Sequence, residues 1–67
     1  MITEIGIVAG DIWHYLDGHH QEIPLSQLAA GIERPKEMVL MSVGWLAREG
    51  HVIVRQDGNE FHVVLRR

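Results

Sequence analysis

The chain has 67 residues, a formal net charge of −3, 46% hydrophobic residues and no cysteine. This length gives one domain with a small core, the apolar content argues against disorder, and the lack of cysteine excludes disulfides and cysteine-ligated zinc. No apolar run exceeds four residues, too short to cross a membrane, and "MITEIGIVAG" lacks a basic signal-peptide start, so a cytoplasmic protein of bacterial type is expected.

The spacing of Ile5, Val8, Ala9, Ile12 and Leu16 predicts a helix over residues 3–17. Thr3 is the expected cap, Glu4 lies near the positive end of the dipole, and Gly18 suits the stop. Gly6 and Gly10 are costly inside a helix, and close approach of another element is the expected reason. "HHQEIP" reads as a loop ending in a short extended piece at Ile23. A second helix follows over about 25–32, with Leu25, Leu28, Ala29 and Ile32 on one face. "IERP" connects it to a third helix over 35–49, with Pro35 at its first position and Gly50 at its end.

On the third helix, 100° per residue places Val39, Ser42, Val43 and Leu46 on the buried side. Glu37, Met41, Gly44 and Arg48 point away, and Leu40, Met38 and Trp45 occupy the flanks. Apolar residues therefore surround most of this helix, as in one buried on more than one side. Trp45 and Met38 are expected to close the core against the glycines of the first helix. Leu40 and Met41 are left without cover.

The tail reads as a hairpin around Asp57-Gly58. A two-residue turn there sets Val54 opposite Phe61 and Val52 opposite Val63 on one face, with Arg55 opposite Glu60 on the other. A three-residue turn would set Val54 opposite His62 and spoil the alternation. In the favoured register His51 and His62 lie nearly opposite each other on the outward face.

Helix, short strand, helix, helix and hairpin is the winged helix-turn-helix order, an α+β fold. "EIGIVAGDIW" and "GWLAREG" resemble motifs of a family of short bacterial winged helix-turn-helix proteins of unknown function. The resemblance covers nearly the whole chain and implies the fold. It implies no ligand or activity.

The candidate functional residues fall into two sets. Leu40, Met41, Gly44 and Trp45 form a candidate protein interface, pointing to a homodimer or another protein partner. Arg34, Lys36 and Arg55, at the third-helix start and on the wing, are the candidate DNA contacts of an alternative reading as a transcriptional regulator. That reading allows only weak phosphate contacts. Residues 1–24 hold Glu4, Asp11, Asp17 and Glu22 without a Lys or Arg, and Glu33 and Glu37 flank the cations of the third helix. The five histidines show no metal-binding spacing, and no nucleophile has a local base. No catalytic residue, metal, cofactor or small-molecule substrate is expected.

Overall fold

A computed structural model describes all 67 residues. The elements run α1 (Ile2–Asp17), β1 (Ile23–Pro24), α2 (Leu25–Ile32), α3 (Lys36–Arg48), β2 (Val52–Asp57) and β3 (Glu60–Leu65). The three strands form an antiparallel sheet in the order β1-β3-β2. This is a winged helix, with three helices packed on a small sheet whose long hairpin is the wing.

The core follows the helical stripes. Val8, Ala9, Ile12 and Leu16 of α1 are buried against Leu25, Leu28 and Ala29 of α2 and Val39, Val43 and Leu46 of α3. Ile23, Val52, Val63 and Leu65 close the core from the sheet side. Ser42 is fully buried with them, its hydroxyl without a hydrogen-bond partner.

The helix ends differ from expectation in two places. Thr3 lies inside α1 and caps nothing; Met1 stands at the helix start without a side-chain cap, its amino group 3.3 Å from the Glu4 carboxylate. Pro35 stands one place earlier than its expected first helical position, with ψ 140°. The chain reverses between α2 and α3 through Glu33, whose φ of 56° and ψ of 49° are left-handed. That conformation costs a side-chain-bearing residue about 1–2 kcal/mol. It lets the Glu33 and Arg34 N–H groups bond back to Ala30 and Ala29 and close the helix end in three residues.

At one seam the backbone approach is very close. A Cβ on Gly31 of α2 would fall 2.5 Å from the Tyr15 ring of α1. Gly6 and Gly10 show the opposite. Nothing lies within 4 Å of a Cβ built at either, so the expected close neighbour is absent and both face open space.

The hairpin register also differs. The turn is Gly58-Asn59, and Asp57 is the last residue of β2, paired with Glu60. Val54 therefore opposes Val63, Val52 opposes Leu65, and Arg55 opposes His62. Gly58 has φ 63° and Asn59 has no positive φ, the pattern of a type II′ turn with glycine first. The shift spans two residues, so each side chain keeps the face assigned to it. The observed register brings Leu65 into the core opposite Val52 while Val63 pairs with Ile23. Val54 reaches beyond the core and is exposed.

Candidate interaction surface

The side chains of α3 divide as its helical angles require. Val39, Ser42, Val43 and Leu46 are buried, whereas Leu40, Met41 and Trp45 are 49%, 42% and 51% exposed. Gly44 beside them is open, with nothing within 4 Å of an added Cβ. Trp45 thus corrects the expectation of a core tryptophan. It lies against the glycine-bearing flank of α1, but on the surface, where it lines a shallow depression with Ile2, Ile5 and Gly6. Met38 does pack partly against the core. The middle of α3 therefore shows an uninterrupted apolar arc, with charge only at its ends, in Lys36, Glu37, Arg48 and Glu49.

The proposed cations are placed differently from one another. Arg34 donates from Nη2 to Asp11 Oδ2 at 2.9 Å, tying the helix-turn-helix corner to α1. Arg55 meets Glu22 instead of Glu60. Its Nε lies 3.0 and 3.2 Å from the two carboxylate oxygens, and its Nη2 lies 2.8 Å from one of them. This forked pair holds the Glu22 carboxyl below the ordinary glutamate range and raises the Arg55 guanidinium further. Lys36, at the start of α3, forms no ion pair.

Glu60 has a different task. The Ser26 hydroxyl donates to its Oε2 at 3.0 Å, and the Phe61 N–H donates to its Oε1 at 3.2 Å. The hydroxyl is the main cause of a lowered Glu60 pKa. Ser26 is in the first turn of α2, which has no side-chain cap of its own. A wing carboxylate thus stands at the positive end of the second helix.

The histidines scatter. His51 lies beside Arg66, whose N–H donates to the His51 carbonyl, and not opposite His62 as expected. His62 is half-buried between Pro24 and Arg55 in the sheet. The His19 Nδ1 lies 2.7 Å from the Tyr15 carbonyl, and its ring stacks on that of Tyr15 at 4.4 Å.

Residues 1–65 match the family model described as "Winged helix-turn-helix domain (DUF2582)". The chain belongs to this family. A similar protein, the uncharacterized protein MJ1608 of Methanocaldococcus jannaschii, is 33% identical over 69 residues, covering 98% of this chain and 96% of that one. The solution NMR structure of protein BT2368 from Bacteroides thetaiotaomicron matches with a TM-score of 0.81 and 28% identity, covering 94% of this chain and 76% of that one. The fold and the resemblance read from "EIGIVAGDIW" and "GWLAREG" therefore hold. The archaeal relative shows that such chains are not confined to bacteria, as the resemblance had implied.

Within this DUF2582 chain, reasoning from residue spacing missed two parts of the surface. The first is the α1 flank. Ile2 and Trp13 are 79% and 39% exposed and extend the apolar arc of α3 onto a second helix. Their helical positions, beside Gly6, carried the signal. The second is the pair of acidic partners, Asp11 and Glu22, which lie 23 and 33 residues from their arginines. No local pattern marks either. No helix is long and apolar enough to cross a membrane.

Proposed function

We propose that this winged helix is a non-enzymatic interaction module that holds a protein partner on the outer face of α3, centred on Leu40, Met41, Gly44 and Trp45. The observation that carries this reading is the exposure of three large apolar side chains where a helix-turn-helix protein presents base-reading residues. Leu, Met and Gly offer no bidentate hydrogen bonds to base edges. Each exposed large side chain keeps apolar surface in water, and a partner would remove it. Two of the three candidate phosphate contacts, Arg34 and Arg55, already hold carboxylates. Membership of a winged helix-turn-helix family is compatible with protein or DNA binding, so fold alone does not choose.

The alternative is a DNA-binding regulator, and Lys36 is the observation that favours it: an unpaired cation at the start of α3. With Arg34 and Arg55 freed from their partners, about three phosphates per chain would be neutralised, for a log–log salt slope of about −3 or shallower. A DNA titration at two salt concentrations separates the readings. The expected result is weak binding without sequence preference. Nanomolar binding to one sequence at about 150 mM salt, lost in Arg34→Ala or Lys36→Ala, would overturn the protein-interaction reading.

A further inference from the structure

We infer that the partner on the α1–α3 face is a second copy of this chain, with the two α1 helices antiparallel about a two-fold axis that passes between Ala9 and Gly10. The inference rests on the protein-interaction reading above and names the occupant.

Area is the first support. Met1, Ile2, Trp13, Met41 and Trp45 together leave on the order of 600 Å² of side-chain surface exposed. That reaches the lower end of stable interfaces, about 600 Å² per partner. Such a patch is large for a surface of 4387 Å².

Shape is the second support. A two-fold interface joins one patch to itself, so each bump must find its hollow on the same face. At 100° per residue, Ile2, Gly6, Gly10 and Trp13 fall within a sector of about 80° on α1. Ile2, Ile5, Gly6 and Trp45 line the hollow. Trp13 is the bump, seven residues further along the same flank. An axis between Ala9 and Gly10 sets position 6 of one copy against position 13 of the other, so each Trp13 enters the other copy's hollow. The open space beside Gly6 and Gly10 is then filled by the partner's α1.

Charge is the third. Antiparallel α1 helices place the positive end of each beside the negative end of the other. Asp17, in the last turn of α1, then lies next to the partner's amino-terminal turn. No Lys, Arg, Asp or Glu occurs among the residues that meet at the centre. The cations at the edges of this face, the Met1 amino group and Arg67, are paired with Glu4 and Asp17.

Sedimentation equilibrium combined with cysteine cross-linking tests the inference. At about 100 µM the expected mass is twice 7.6 kDa. Gly6→Arg occupies the hollow from a position whose Cβ meets nothing in its own chain, and should weaken association at least about tenfold with an unchanged far-UV circular dichroism spectrum. Trp13→Gln should do the same. The natural chain has no cysteine, so Gly10→Cys reports directly: mild oxidation should yield a disulfide-linked dimer. Ile53→Cys, on the outer face of the sheet, should not cross-link. A monomer at about 500 µM would overturn the second copy as occupant while leaving the protein-interaction reading standing. A dimer unaffected by Gly6→Arg, or one that cross-links as readily through position 53 as through position 10, would overturn the α1 arrangement. Tight, Arg34-dependent DNA binding would instead overturn the reading beneath it.

Discussion

Around the wing, the charged side chains Arg55, Glu60 and Arg67 have partners: Arg55 grips Glu22, Glu60 receives Ser26, and Arg67 reaches Asp17. On the α1–α3 face, Ile2, Trp13, Met41 and Trp45 keep 79%, 39%, 42% and 51% of their surface in water. The wing is fastened by exposed contacts between residues far apart in sequence, each individually weak because solvent screens it. The α1–α3 face spends apolar surface without return inside the chain. The charged groups of the wing are matched within the monomer while the α1–α3 face is left uncovered, which is why the uncovered face is the better guide to function.

The largest expected effect comes from breaking what both regions share. Ile12 is fully buried in the common core. Ile12→Ala should lower unfolding free energy by about 2–5 kcal/mol in urea, by lost burial and the cavity left behind. A loss below about 1 kcal/mol would mean that the core collapses around the gap and does not bind the two regions rigidly.

Next is the wing turn. Gly58 has φ 63°, so Gly58→Val should destabilise by about 1–2 kcal/mol in a thermal melt. Asp57→Gly discriminates between registers. Asp57 is a strand residue, so this change should not tighten the turn. A gain in stability would indicate a turn centred on Asp57-Gly58.

Acid should loosen the wing before it affects the apolar face. Glu22 and Glu60 are both held below the ordinary glutamate value of about 4.5. The unfolded chain therefore binds protons first, and the stabilisation from these groups is present above that pH and lost as pH falls through the folded values. In melting curves taken from pH 6 to pH 3, Glu60→Gln and Glu22→Gln should each flatten the acid decline. Parallel acid limbs for variant and parent would show that neither contact persists in solution.

The smallest effect on the monomer should come from the most exposed α3 positions. Leu40→Glu combined with Met41→Lys should shift folding stability by no more than about 0.5 kcal/mol at low micromolar protein, because neither side chain enters the core. The same pair should shift association toward monomer at higher concentration, through Met41 at the edge of the α1–α3 face. A large loss of monomer stability would place these residues inside the fold and erase the contrast between the regions.

The buried side of α3 was legible because Val39, Ser42, Val43 and Leu46 obey one period, and no competing arrangement of that helix buries as much. The turn was not, because Gly58 belongs to two good turn dipeptides, Asp57-Gly58 and Gly58-Asn59. Their registers differ by two residues, so in-out alternation cannot tell them apart. Contacts beyond the hairpin decide: Val63 must meet Ile23 while Leu65 meets Val52. Arg55 was assigned to Glu60 on that register, and its actual partner belongs to a loop that no spacing rule connects to the wing. Trp45 was read as core because tryptophan usually is buried. Its neighbourhood was read correctly, but α1 offers glycines there and no wall to cover it.

Gly31 and Tyr15 carry a consequence for how such a chain can vary. The tyrosine ring sits between the α2 backbone and the His19 ring, with no room for a Cβ at position 31 and a stacked neighbour on its other side. It works as a spacer that sets the distance between α1 and α2. A larger residue at position 31 requires the Tyr15 ring to leave its place or be replaced by a smaller side chain. If the ring stays, the α2 backbone must give way, and the spacing of α1 and α2 changes with it.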